Sequence, residues 1–393
     1  GPLKSVFESV VLPRRELMGL PLDRDATARF FQRHLSGRRD FGAGLWLLLS
    51  TILWEDRHYP PSRPDSSVGP LAADRRVVPG PRLAIAAPRP PPSSSKMVSE
   101  HTETFRIRHD ECDAYGVLNN AAYLRLAQEA AWRHSIAAGF PPGYYESRQR
   151  AWLARDTEID YLRPVRYGEL LQVKTFVAAT RRALARRAYE FRISGSTELV
   201  ARAHTDWVFF DLTAAAPASI PAEILQALFG GTQAPAVLKR APFPEPPPAP
   251  AGAVTWRKRV EWRDIDPLGH LNNAVYFSYT QEAAIQAGIQ YGITLSSSQE
   301  AGVGWAVKRS RIEYLLPAQA GDELEVETYL VSLRKASAER YYAIFGGPQR
   351  ELLARAISVW LTIDLATGRP RPFPAWVVQA LAPNLTSSAE PAD

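Results

Sequence analysis

Two stretches of the chain end in the same alternation of apolar and polar positions, Ala203-His-Thr-Asp-Trp-Val-Phe-Phe and Ile357-Ser-Val-Trp-Leu-Thr-Ile. Alternation carried by aromatic and β-branched residues predicts half-buried strands. Upstream of each, the pattern predicts one order of elements twice. A short strand at about 103–109 (254–262 in the second stretch) leads into an Asp-x-x-Gly loop, and a helix follows at about 120–138 (273–290). Four strands come next, at about 152–163, 169–181, 185–194 and 198–211 in the first stretch. One helix followed by consecutive strands predicts an α+β domain in which an antiparallel sheet wraps around a central helix.

The two stretches are copies. A shift of 153 residues brings Asp113 onto Asp266, Gly116 onto Gly269, Leu118-Asn-Asn onto Leu271-Asn-Asn and Gln128-Glu-Ala-Ala onto Gln281-Glu-Ala-Ala. The register holds without a gap through Trp152 and Trp305, Tyr161 and Tyr314, Trp207 and Trp360, to Asp211 and Asp364. Of the 107 pairs from 105–211 and 258–364, 35 are identical, where composition alone gives roughly 7 or 8. A repeat this long encloses its own core and is a whole domain. The predicted division is a Pro-rich, basic extension (1–96), a first domain (97–241), a stiff Pro-rich linker (242–252), a second domain (253–385) and a tail (386–393).

The extension reads as poorly ordered or vector-derived, with short helices at Arg29–Leu35 and Leu45–Trp54; Gly1-Pro2 looks like a protease scar and Met97 a natural start. Charge changes the picture only there. Residues 1–96 hold 15 Lys and Arg against 9 Asp and Glu, while the remainder has 32 of each, so the net charge of +6 sits in the extension. A neutral body argues against nucleic acid as a partner. The longest uncharged apolar stretch, Phe41–Trp54, is too short for a membrane-spanning helix. Cys112 is the only cysteine, which excludes an intrachain disulfide and a cysteine metal cluster and suits a reducing, cytoplasmic setting. No metal-ligand spacing, phosphate-binding glycine loop or Ser-His-Asp signature is present.

Candidate chemistry gathers in Asp113-Ala-Tyr-Gly-Val-Leu-Asn-Asn-Ala-Ala-Tyr123 and Asp266-Pro-Leu-Gly-His-Leu-Asn-Asn-Ala-Val-Tyr276. A carboxylate just before a helix can approach a carbonyl whose developing oxyanion is held by free first-turn N–H groups, here around Asn120 and Asn273. Gly116 and Gly269 allow a tight turn and close approach of backbone to substrate, and Asn119 and Asn272 are N-cap candidates. The bland reading is that each Asp braces a turn; its recurrence beside the same Gly and Asn pair favours chemistry. Glu129 and Glu282 fall mid-helix, where a carboxylate is either a base or a solvated face. His270 has Val117 as its counterpart, and Cys112 has Ile265, which argues against an essential thiol. Basic clusters at Arg181-Arg182, Arg186-Arg187, Arg334-Lys335 and Arg340 fall at a predicted turn between strands, where they contact solvent or the phosphates of a ligand.

From about 103 to 385 the chain resembles the 4-hydroxybenzoyl-CoA thioesterase family of hotdog proteins and the related bacterial long-chain acyl-CoA thioesterases. The Trp152 and Trp305 strands, the Tyr-x-x-Pro turns at Tyr161 and Tyr314, and Ser219-Ile-Pro-Ala-Glu share in the likeness. The resemblance implies two hotdog domains in tandem. It also implies an acyl-CoA thioesterase in which Asp113 and Asp266 are nucleophile or general base, with Gly116, Asn119, Asn120, Gly269, Asn272 and Asn273 binding substrate. Some other hotdog thioesterases use a helical carboxylate, which keeps Glu129 and Glu282 as candidates. Plant acyl-ACP thioesterases are similar to the second copy in their His after the Asp, at His270, yet place Asn where this chain has Leu268. Single hotdog domains of the family pair as dimers with sites at the interface, so the tandem copy implies an intramolecular pseudo-dimer, with further homo-oligomerisation left open. The partner is a small-molecule acyl thioester, CoA being part of the substrate, with no other cofactor. The alternatives are an acyl-ACP thioesterase of fatty-acid or polyketide metabolism and a non-catalytic acyl-thioester-binding protein. A hotdog dehydratase is disfavoured, because no His and acidic pair at the spacing of those enzymes recurs in both copies. Were only one site active, Gly269-His-Leu-Asn-Asn, the copy closer to the family pattern, would be the survivor.

Overall fold

Asn119 and Asn272 each start a helix in the way their side chains predict, accepting the N–H of Ala121 at 3.0 Å and of Ala274 at 2.9 Å. The computed structural model describes residues 99–229, 236–238 and 241–386, with a few residues between 11 and 31. The first copy runs β1 (Glu100–Arg106), α1 (Asn120–Ala137), α2 (Pro142–Ser147), β2 (Arg150–Tyr161), β3 (Leu170–Arg181), β4 (Leu184–Ile193), β5 (Leu199–Asp211) and α3 (Ala222–Phe229). The second repeats the order as β6 (Val254–Arg259), α4 (Asn273–Gln290), α5 (Leu295–Glu300), β7 (Val303–Tyr314), β8 (Glu323–Leu333), β9 (Ser337–Gly346), β10 (Glu351–Asp364) and α6 (Ala375–Leu381). Both long helices and all ten strands fall within a few residues of their predicted places. The first strands stop short of expectation because His109–Glu111 and Trp262–Asp264 wind into single 3-10 turns. Near the start of the chain, Glu16–Leu17 pairs with Leu20–Pro21 and Asp25 and Thr27–Arg29 are helical. The remaining expectations for 1–96, including a helix at Leu45–Trp54, fall outside the described residues.

The strands of both copies form one antiparallel sheet in the order β6-β8-β9-β10-β7-β2-β5-β4-β3-β1, with the two-residue strands Ala216–Pro217 and Ala236–Val237 at its margins. β2 and β7 join the copies, pairing Asp160 with Arg309 through to Asp156 with Glu313. The middle pair, Glu158 and Arg311, are counterparts under the repeat, so a pseudo-two-fold axis passes through the seam. A register shift at Ala154/Asp156 in β2 recurs at Val307/Arg309 in β7, and one at Val177/Ala179 in β3 recurs at Leu330/Ser332 in β8. Such bulges bend a strand and raise its twist. They curve the sheet around α1 and α4, which lie side by side.

The core follows from this geometry. Leu124, Tyr123, Tyr189 and Phe191 of the first copy and Tyr276, Phe277, Tyr342 and Ile344 of the second share one buried cluster. Tyr161 and Tyr314 donate to the carbonyls of Asn120 and Asn273 at 3.0 and 2.9 Å and tie each first helical turn to the sheet. The Pro-rich linker has no helix or strand, and it is fastened to the second copy. Phe243 is buried with Tyr329, Tyr341 and Ala343. Tyr329 donates to the Pro247 carbonyl at 2.8 Å, and Arg311 to the Ala241 carbonyl at 2.8 Å.

Candidate active site

The loop before α4 closes on itself. Asp266 N–H donates to the His270 carbonyl at 2.8 Å and Gly269 N–H to the Asp266 carbonyl at 2.9 Å. Gly269 takes φ +83°, as its counterpart Gly116 takes +72°, a region where a side chain is strained. The Asp266 Oδ1 accepts the Leu268 N–H at 2.8 Å, and the His270 N–H also faces this carboxylate. Burial pushes the Asp266 carboxyl above the usual range and outweighs these two N–H groups, which pull it down. Asp113 is arranged alike: its Oδ1 accepts from Tyr115 N–H at 2.9 Å, and burial raises its carboxyl too.

What each loop faces differs. Asp266, Leu268, Asn272 and Asn273 of the second copy line a cavity of about 1170 Å³ whose remaining walls come mainly from the first copy. Gln128, Glu129, Trp132 and Ile136 of α1 form one side; Trp152, Val177, Ala185 and Trp207 of the sheet and Ile224 and Leu228 of α3 form others. Gln128 donates to the Asn273 side chain, and Asn119 donates to Gln281 at 3.1 Å, so each copy's loop is pinned to the other's helix. Asn272 caps α4 through Ala274, which leaves the Asn273 N–H with no acceptor among the described residues. It is a free donor beside the Asp266 loop.

At the other loop, Tyr115 stands where Leu268 stands, and its hydroxyl is held at the backbone of Trp305. Trp305 is the counterpart of Trp152, which lines the open cavity. At four interior positions the second copy has the larger residue: Leu330, Leu333, Phe373 and Tyr291 pack together where the first copy has Val177, Thr180, Ile220 and Ala138.

The other candidate residues separate. Glu129 lines the cavity and pairs with Arg133 at 2.7 Å. Glu282 accepts from Gln286 at 2.7 Å. His270 is buried and does not line the cavity; burial lowers its pKa, and its Nε2 has no hydrogen-bond partner among the described residues. Burial and then the neighbouring Asp113 push the Cys112 thiol up, away from thiolate chemistry. Three arginines of the basic clusters, Arg186, Arg187 and Arg340, lie on strands and not at the turn. Arg187 and Arg340 are buried, because each takes an inward position of its strand. The signal was present in the sequence: Ala185, Arg187, Tyr189 and Phe191 share one face under period-two alternation. Among the described residues no group of three His, Cys, Asp or Glu is placed to hold a metal ion, and no helix is long and apolar enough to cross a membrane.

The sequence model of the thioesterase-like superfamily matches twice, over residues 107–228 and 260–381. The chain belongs to the thioesterase-like superfamily. The expectation of tandem hotdog domains of a thioester-hydrolysing family is met. An acyl-CoA thioester hydrolase of Escherichia coli is 25% identical over 123 residues, 31% of this chain and 91% of that protein. A chloroplastic acyl-acyl carrier protein thioesterase of Arabidopsis thaliana is 29% identical over 105 residues, 26% of this chain and 55% of that protein. Among solved structures, one from Lactobacillus plantarum assigned as an oleoyl thioesterase superposes with a TM-score of 0.57 at 21% identity, covering 67% of this chain and 96% of that one. A 12:0-ACP thioesterase from Umbellularia californica gives a TM-score of 0.53 at 18% identity, covering 67% and 98%. Both span the two copies and share their fold.

Proposed function

We propose that this protein hydrolyses acyl thioesters of CoA or of an acyl carrier protein at the Asp266 site, with the acyl group lodged in the cavity of the first copy. The observation that carries this reading is the cavity itself, which brings Asp266 and the free Asn273 N–H of one copy to a largely apolar chamber walled by the other. Asp266 attacks the carbonyl carbon or takes a proton from the attacking water. The Asn273 N–H receives the developing oxyanion. The carbon–sulfur bond breaks, the thiolate leaves and is protonated, and water supplies the oxygen of the free acid. No cofactor enters this scheme beyond the CoA or carrier arm of the substrate. Arg125 and Arg263, exposed residues of the cavity lining, are suited to the phosphates of that arm. Steady-state hydrolysis across acyl-CoA and acyl-ACP panels tests the proposal; absence of turnover on every thioester would overturn it in favour of a binding protein.

Two further outcomes are expected. Because burial raises the Asp266 carboxyl and the reaction needs its charged form, kcat should fall on acidification at a pH above the ordinary aspartate value of about 3.9. The same shift has a sign for stability. The folded state holds this proton more tightly than the unfolded chain, so stability is lost as pH rises through the folded pKa. Asp266→Asn should therefore melt higher than the wild type at pH 7, the gap closing towards pH 4, roughly the unfolded value. Equal melting temperatures throughout would show that the carboxyl carries no such penalty.

Copying the second copy's residues into the cavity gives the other outcome. Val177→Leu with Thr180→Leu adds volume along the wall, as Leu330 and Leu333 do in the closed copy. For long-chain substrates kcat/KM should drop by about tenfold or more, while the shortest stay within about threefold. A uniform fall at all lengths would place the acyl group elsewhere.

A further inference from the structure

The cavity wall holds two polar groups that Asp266 chemistry does not use. Arg187 on β4 is 8% exposed and lines the cavity. Its Nη1 donates to His134 Nδ1 at 2.7 Å and to Thr175 Oγ1 at 3.4 Å, which leaves Nε and Nη2 without an acceptor among the described residues. No carboxylate of the described residues pairs with it. The chain pairs comparable arginines. Adjacent Arg186 grips both oxygens of Asp206 at 2.7 and 2.8 Å, and Arg311 grips Asp156. A buried guanidinium without a counter-charge is costly, and burial accordingly pulls its pKa down.

The second group is the indole of Trp207, also on the cavity wall. Its counterpart Trp360 donates to the Tyr342 hydroxyl at 3.0 Å. Trp207 Nε1 lies near the matching Tyr189 yet closes no hydrogen bond, and the atom is buried. Arg340, the counterpart of Arg187, also lacks a carboxylate but does not line the cavity. The unused Arg187 donors thus meet open space only in the copy that has the cavity, while the Trp207 Nε1 is closed off from it. An apolar chain end would bury the guanidinium against methyl groups, whereas an oxygen acceptor would satisfy it.

We propose that the acyl group taken into this cavity ends in an oxygen acceptor, best a carboxylate, received by the Arg187 guanidinium. The substrate class is then the mono-thioester of a dicarboxylic acid, in place of a plain fatty acyl thioester. This inference rests on reading the cavity as the acyl site of a thioesterase.

The test compares ω-carboxyacyl-CoA with methyl-terminated acyl-CoA of equal carbon number, over several lengths, on the full chain. At the length that spans the cavity the wild type should favour the carboxylated substrate at least about tenfold in kcat/KM. Arg187→Met should reduce that ratio by tenfold or more, and Arg187→Lys, which keeps the charge but not the fork of donors, by a smaller factor. If Arg187→Met fails to fold, the wild-type ratio and Arg187→Lys decide alone. Equal or better hydrolysis of methyl-terminated chains at every length overturns the inference and leaves the thioesterase reading standing. Calorimetric titration with the free dicarboxylic acid separates the two ideas: binding lost in the Arg187 variant, without hydrolysis of any thioester, keeps Arg187 as a carboxylate site but overturns both the hydrolase and the substrate class.

Discussion

Asp266→Asn is expected to lower kcat by on the order of a hundredfold or more, while Asp113→Asn leaves most of the turnover intact. The substitution keeps the shape of the side chain, and the amide oxygen can still accept the Leu268 and His270 N–H groups that hold the carboxylate. What it removes is the charge, and with it both nucleophile and base. The asymmetry comes from what each loop faces. Leu268 leaves the approach to Trp152 open on the cavity, whereas Tyr115 reaches the backbone of Trp305 beside an interior packed with Leu330, Leu333 and Phe373. KM should change little in either variant, since Asn keeps the shape of Asp at the cavity lining and the walls that hold the acyl group are untouched. An Asp113→Asn protein with half the wild-type turnover would show two working sites. A fully active Asp266→Asn protein would move the search to Glu129, the other carboxylate on the cavity with a precedent in helical bases.

Alternation and repetition made the scaffold readable. Period-two patterning located all ten strands, and the 153-residue register announced that whatever the first copy builds, the second builds again. The motif loops were readable for a similar reason: Gly at a positive φ and Asn at an N-cap are local demands of the backbone, met by local residues. The asymmetry between the sites was not readable in this way. It rests on contacts far apart in sequence, such as Tyr115 with Trp305, and on the summed volume of side chains from four elements. Thr180 against Leu333, or Val177 against Leu330, is visible as a difference in the aligned copies, but only the folded sheet shows that Val177 and Thr180 face one chamber and that Leu330 and Leu333 pack in its counterpart. Arg187 is an intermediate case. Its neighbours Arg181, Arg182 and Arg186 made it look like part of a solvated turn, while its parity with Tyr189 and Phe191 placed it inside. Parity was the better guide, because a strand residue's face is fixed by geometry and a run of like charges is not. The linker shows the converse: Pro-rich composition read as a stiff tether between domains, but the one aromatic within it, Phe243, fastens it to the sheet.

Arg311→Met is expected to destabilise the protein by about 3–5 kcal/mol, the usual cost of stripping one member from a buried ion pair. Arg311 sits at the pseudo-two-fold axis on β7, opposite its own counterpart Glu158. It holds the Asp156 carboxylate of the first copy with contacts of 2.8 to 3.2 Å, donates to the carbonyls of Ala241 and Pro242, and lies 5.3 Å over the Phe243 ring. One guanidinium therefore ties together the first copy, the linker and the second copy. Asp156 is 1% exposed, so removing its cation leaves a carboxylate that solvent cannot reach. Replacing both residues, Asp156→Leu with Arg311→Met, should recover much of the loss, because no charge is then left buried. Urea unfolding of the wild type, both single variants and the double variant gives the coupling directly. A loss below about 1 kcal/mol in Arg311→Met would mean that the seam relies on its backbone pairing and apolar packing, the pair being worth no more than an exposed one. Activity offers a second readout. Because the Asp266 loop and the chamber wall belong to different copies, loosening the seam should separate them before either copy unfolds. The Arg311 variant should then lose hydrolysis at a lower urea concentration than it loses secondary structure, whereas in the wild type the two losses coincide.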